Sequence, residues 1–399
     1  MRKITLLFFT TILILSLILS FSFVGCKSST STTAEATTTT AAAAEETTTT
    51  SAAKETTTTS GNLTKIVWIS PRGTLEVMDD YNMWVAIEMG YFKDFGIEVD
   101  MEPGPNDALA CTKFVDQKKA DVGYPSPGVL TSSIDTGMDV IQAFEMMASQ
   151  VFDFAVKQDS PIKTVQDLKG KTISIGMSGW TVIVDPILYE AGIDPKSVKY
   201  VTVGESWGQA VAQGQADAAL CWRGLRAQWD AQGLNLRYLI GETFSKHPAN
   251  GYCIRKSDLS DPAKRDLYVR FFKAAAMGIE FARHNPRAAA QITYNKFAAV
   301  REQMKPKLAL DSMNQLHWAY TESERKYGGY GMSPVDSWKS YLEAIYKLGQ
   351  IKNQLTVDQV ITNDLIKDIN NFDKDKVKKD AENFQLDDTW KNVEVTGNW

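Results

Sequence analysis

The 399 residues carry 44 % hydrophobic side chains and a formal charge of -5, enough apolar material for the cores of about two domains. No clustered basic face accompanies that acidic balance, which excludes the electrostatic footprint of a nucleic-acid binder or of a protein held on an anionic membrane by charge. The three histidines, His247, His284 and His317, are far apart and lack metal-ligand spacing, and no zinc or iron–sulfur pattern is present, so no metal is expected.

At the start of the chain, Arg2 and Lys3 precede an apolar stretch, Ile4 to Leu19, broken only by Thr10, Thr11 and Ser16. The stretch is too polar at its end to make a convincing membrane span. It closes on Phe23-Val24-Gly25-Cys26, which resembles a bacterial lipobox and implies removal of residues 1–25 as a signal peptide and acylation of the Cys26 thiol. Residues 26–62 are almost entirely Thr, Ala, Ser and Glu; with nothing to bury, they are expected to form a disordered tether. Three cysteines remain, Cys111, Cys221 and Cys253, which permits at most one disulfide and favours three buried thiols.

From residue 63 the pattern alternates strand and helix. The predicted order is strand Lys65 to Ser70, helix Tyr81 to Phe92, strand Ile97 to Met101, helix Ala108 to Gln117, strand Ala120 to Gly123, helix Val129 to Thr136 and strand Val140 to Met146. A second unit starts with Val151 to Val156 and contains strands Thr172 to Gly176, Lys199 to Val203 and Ala218 to Trp222, with helices Thr181 to Ala191 and Trp207 to Gln213 between them. Two further strand-like pieces, Arg237 to Ile240 and Gly251 to Ile254, precede a helical region that runs to about Leu348. Such alternation predicts an α/β chain of two lobes, each a mostly parallel sheet flanked by helices. The expected divisions are 63–151 for the first lobe, 152–249 for the second, 250–370 for a helical return to the first, and 371–399 for a charged tail.

The run Ser160-Pro161-Ile162-Lys163-Thr164-Val165-Gln166-Asp167-Leu168-Lys169-Gly170-Lys171-Thr172-Ile173 resembles the start of the second lobe in type II periplasmic solute-binding proteins. Ala120 to Pro127, Ala191 to Pro195, Gln213 to Ala219 and Leu348 to Ile351 are similar to the branch that binds alkanesulfonates, taurine, nitrate and thiamine pyrimidine precursors. The likeness runs from about Thr64 to Asn370. It implies two crossings between lobes, near Ser149 to Phe154 and Pro248 to Cys253, closure on a small molecule, and delivery to the permease subunits of an ABC importer. It further implies an extracytoplasmic monomer without cofactor, held at the membrane by the lipid on Cys26.

Ligands of open α/β sheets bind beyond the carboxyl ends of the strands. In the first lobe that rule selects Arg72, Asn106, Tyr124, Pro125, Ser126, Phe144 and Glu145, with Tyr81 and Asn82 opening the first helix. In the second lobe it selects Ser178, Gly179, Trp180 and Thr181, where free N–H groups gather at a helix start, together with Glu205, Trp222 and Arg223. Tyr81, Tyr124, Phe144, Trp180 and Trp222 would form an aromatic wall suited to a planar ring. A heteroaromatic ligand is therefore expected ahead of a sulfonate, taurine or nitrate, which Arg72 or Arg223 with the Ser178 helix end could clamp. Two other classes compete. Gly176-Met177-Ser178-Gly179-Trp180 sits where a hydrolase nucleophile elbow would, but Trp180 stands at the required glycine. The cysteine-rich motif of a pyrimidine-synthase relative is missing, and a tethered sensor or adhesin of the same fold stays open.

Overall fold

The computed structural model describes residues 62–105 and 109–396; the leader, Cys26, nearly all of the tether and Asn106 lie outside them. Among the described residues, ten strands build two sheets. β1 (Thr64–Ile69), β2 (Ile97–Glu102), β3 (Val122–Gly123), β4 (Val140–Glu145) and β10 (Gly251–Arg255) form the first, in the order β2-β1-β3-β10-β4. β5 (Phe152–Lys157), β6 (Thr172–Ile175), β7 (Lys199–Thr202), β8 (Ala218–Trp222) and β9 (Leu236–Leu239) form the second, in the order β7-β6-β8-β5-β9. Within each sheet one strand runs against the rest, β10 between β3 and β4 and β5 between β8 and β9. Both reversed strands follow a crossing between lobes, so the chain arrives from the opposite direction. The crossings run side by side, with Ala249 N–H donating to Met147 O at 2.9 Å and Met147 N–H to Asn250 O at 3.1 Å.

The helices that matter for the cleft are α1 (Tyr81–Glu88), α2 (Pro127–Asp135), α3 (Thr181–Glu190), α4 (Arg223–Ala231), α5 (Pro262–His284), α6 (Pro306–Tyr320) and α7 (Val335–Lys347). Ser126 caps α2 through Val129 N–H, with Pro127 in the first turn, the combination that starts a helix most reliably. The apolar stripe of α5 is almost wholly buried and packs against α1. There Gly278 is obligatory, since a Cβ would lie 2.0 Å from Asn82 O. Gly278→Val should therefore cost about 1–3 kcal/mol or more, read as a thermal midpoint lowered by several degrees; an unchanged midpoint would show that the two helices can part freely.

The segment read from sequence as a charged tail carries α8 (Lys374–Asn383) and buries Val377, Ala381 and Trp390. Asn285 ties it to α5, donating to Ala381 O at 2.8 Å. Its charges mark the solvent face of an amphipathic helix on the first lobe.

Candidate functional site

A cleft of about 710 Å³, its open mouth included, lies between the two sheets at the carboxyl ends of their parallel strands. From the first lobe, Arg72 reaches it on the loop after β1, Tyr124, Pro125 and Ser126 on the loop after β3, and Asp79 just before α1. The second lobe contributes Trp180 after β6, Ile183 on α3, and Leu220 and Trp222 at the end of β8. Met147, Val151, Phe152 and Asn250 on the crossings form its back.

Trp180, Trp207 and Trp222 pack as one unit. Trp180 meets Trp222 edge-on at 6.1 Å and Trp207 at 5.3 Å, while Trp207 stacks on Trp222 at 5.8 Å. Gly176 makes this possible, since a Cβ there would lie 2.8 Å from the Trp180 ring. Opposite, Tyr124 is wedged among Trp68 and Tyr252 and shares a hydrogen bond with the Tyr320 hydroxyl at 3.1 Å. Rings held this firmly stay in place as a ligand arrives, so little rotamer freedom is lost on binding.

The polar end is a charge cluster. Arg72 bonds Asp80 through Nη2 at 2.5 Å and places Nη1 3.6 Å from Asp79. Burial alone would lower the Arg72 pKa, but the Asp80 and Asp79 carboxylates outweigh it and hold the guanidinium charged. Asp79 is pushed up to about 6 by burial, with Arg72 opposing, Asp80 adding to the rise, and the Trp222 hydrogen bond opposing. That bond, Trp222 Nε1 donating to Asp79 Oδ2 at 3.1 Å, joins the two lobes across the cleft. The lobes also touch at its flanks: Ser312 on α6 donates to Gly224 O of α4 at 2.7 Å, and Gly128 on α2 lies against Val182 of α3.

Among the residues selected from sequence, Arg72, Tyr124, Pro125, Ser126, Trp180 and Trp222 come together in the cleft. The others that lie among the described residues are placed elsewhere, each for an identifiable reason. Tyr81 is turned into the first lobe, its hydroxyl 2.7 Å from His317 Nδ1, and Asn82 bonds the Tyr252 hydroxyl at 3.2 Å. Phe144 lies in a stack with Tyr252 and Phe272. Glu145 is fully buried, accepting from Trp338 Nε1 at 2.7 Å and Gln142 Nε2 at 2.8 Å. Ser178, Gly179 and Thr181 flank Trp180 on the turn and helix start that carry its indole to the cleft, and do not line the cleft themselves. Glu205 is exposed on a separate turn, and Arg223, although buried, pairs with Glu242 away from the cleft. Asp79, Cys111 and the crossing residues were missed; the adjacent acids Asp79-Asp80 close to Arg72 were the one visible signal.

Ser178 carries no hydrolase geometry. His317 is engaged with Tyr81, His284 with Glu280 and His247 with Glu190. Cys111, Cys221 and Cys253 are buried thiols, the latter two pushed up by burial and so poor nucleophiles. Among the described residues no His, Cys, Asp and Glu cluster could hold a metal, and no helix is long and apolar enough to cross a membrane.

The model of a protein family described as NMT1/THI5 like matches residues 79–289, more than half of the chain. A Haemophilus influenzae protein named for thiamine biosynthesis is 26 % identical over 137 residues, 34 % of this chain and 43 % of that protein; the chain thus spans less than half of that relative's length. The formylaminopyrimidine-binding protein of Halalkalibacterium halodurans is 24 % identical over 298 residues, 68 % of this chain and 85 % of the other. The solved alkanesulfonate-binding protein of Xanthomonas axonopodis, bound to MOPS, shares the fold at a TM-score of 0.58 and 12 % identity, covering 75 % of this chain and 98 % of its own.

Proposed function

Since the chain belongs to the NMT1/THI5-like family, we propose that it is a lipid-anchored extracytoplasmic receptor that closes two lobes on a small heteroaromatic molecule and passes it to the permease subunits of an ABC importer. The observation that carries this reading is the cleft itself, with indoles from one lobe, a phenol ring from the other and one buried carboxylate between them. Planar rings gain about 0.5–1.5 kcal/mol per aromatic pair beyond burial. A ligand shifts such a receptor toward the closed form by as much as it prefers that form, and Tyr124 and Trp222 meet one ligand together only there. The formylaminopyrimidine-binding relative supports a pyrimidine of this kind.

A sulfonate or nitrate fits the charge less well. Arg72 is matched by two carboxylates and Arg223 by Glu242, so neither arginine offers an anion an uncompensated charge. No chemistry on the ligand is proposed.

Native mass spectrometry of the purified protein, followed by calorimetry with formylaminopyrimidine, taurine, a short alkanesulfonate and nitrate, tests the reading. Preference for the pyrimidine is expected, and preference for an anion would overturn it. Trp222→Ala should weaken the pyrimidine by about 10- to 100-fold; wild-type affinity in that variant would remove the aromatic wall from the account. Importer subunits should bind the loaded receptor more tightly than the empty one, and equal affinity would remove importer delivery.

A further inference from the structure

We infer that Asp79 couples ligand choice to closure: it latches the second lobe through Trp222 and admits ligands that donate an N–H to its other oxygen. This rests on the heteroaromatic reading for the nature of the ring, but the latch stands on geometry alone.

Asp79 belongs to the first lobe, is 3 % exposed and lines the cleft. Its Oδ2 is occupied by the Trp222 indole N–H of the second lobe at 3.1 Å. Its Oδ1 is buried and has no hydrogen-bond partner among the described residues; the same holds for Arg72 Nε beside it. The second lobe also approaches Oδ1 closely, since a Cβ at Gly224 on α4 would lie 2.8 Å from it. Only glycine lets that helix start come so near.

A buried acceptor without a donor is costly, and the cost disappears when a partner arrives. The unfilled positions are one carboxylate oxygen and one guanidinium N–H, both on residues lining the same cleft. They complement an edge that carries an N–H donor and a ring-nitrogen acceptor, as amino-substituted nitrogen heterocycles do. The charge points the same way. Arg72 opposes Asp79 and Asp80, a net of one negative charge, with the phenols of Tyr124 and Tyr320 alongside. An N–H donor or a cation is welcome there; an anion of equal shape is repelled. The carboxylate that selects the ligand also receives Trp222, so a ligand that satisfies Asp79 settles the charge on which the second lobe closes.

The test compares 4-amino-2-methylpyrimidine with 2,4-dimethylpyrimidine, which replaces the donor by a methyl of similar size. The wild-type protein should favour the amino compound by about 10-fold or more, and Asp79→Asn should erase the preference. An equal preference in both proteins overturns the selection role. If the wild-type protein binds neither compound nor the formylaminopyrimidine, the heteroaromatic reading has failed instead. The latch is decided without ligand. Trp222→Phe keeps a ring and removes the indole N–H, and Asp79→Leu removes the acceptor; solution scattering should show both more open than the wild type. Scattering profiles identical to the wild type, with both variants folded by circular dichroism, overturn the latch. Should a variant at Asp79 fail to fold, Trp222→Phe alone decides the latch, and the amino-over-methyl preference of the wild type decides the selection role.

Discussion

Gly128→Leu should leave both lobes folded and weaken ligand binding by about 100-fold, because the side chain would hold the cleft ajar. Gly128 lies in the first turn of α2 on the first lobe, and a Cβ there would sit 2.5 Å from Val182 O and 2.8 Å from Val182 Cγ2 on the second. The close contact lies between the lobes, and leucine suits a helix better than glycine, so each lobe should still fold. The added volume can be relieved by rotating the lobes apart. Apparent affinity then falls by the fraction of molecules still able to close. Calorimetry gives the affinity, and scattering should show a larger radius than the wild type with ligand present. Wild-type affinity would mean that the contact between α2 and α3 yields locally, and that closure is governed elsewhere. The opposite flank has a matching contact, where a Cβ on Gly224 would meet Leu316 at 2.6 Å.

Glu145→Gln should flatten the dependence of stability on pH. Glu145 is wholly buried, and burial pushes its pKa from 4.5 up to about 8 against the hydrogen bonds from Trp338, Ser333 and Gln142. At neutral pH it is therefore a carboxylic acid in the folded chain and a carboxylate in the unfolded one. The folded state binds the extra proton, so stability is complete below about pH 4.5 and is lost as pH rises toward about 8. The slope is at most about 1.4 kcal/mol per pH unit. Glutamine keeps the shape and cannot ionise. The variant should match the wild type near pH 5 and exceed it by roughly 3 kcal/mol at pH 8, as read from denaturant unfolding at the two values. A constant difference between the proteins at both pH values would show that Glu145 is ionised in the fold. Asp79, pushed up to about 6, contributes a smaller slope of the same sign, which the comparison cancels.

Both predictions turn on residues whose importance is invisible in isolation. Gly128 reads as an ordinary glycine near a helix start, and only the approach of α3 makes its missing side chain matter. Glu145 closes a strand that the rule of carboxyl ends sends toward the ligand, and the structure turns it instead onto Trp338 of α7, an element almost two hundred residues later in the chain. Tyr81 and Asn82 failed as cleft residues for the same reason: their partners, His317 and Tyr252, arrive from the helical return and from β10.

What the amino-acid sequence determined by itself was the local and periodic part. Alternating apolar segments specify strands and helices, and their order specifies two α/β lobes, because each element must bury its apolar face against the next. It also placed Tyr124, Trp180 and Trp222 at strand ends, where a parallel sheet leaves its loops open. The tertiary structure alone decided which loop residues face the cleft and which turn inward. It also made Asp79 the polar centre, because the path from β1 to α1 sets a carboxylate of one lobe against an indole of the other. Such pairings join residues more than a hundred positions apart, and no periodicity within either segment records them.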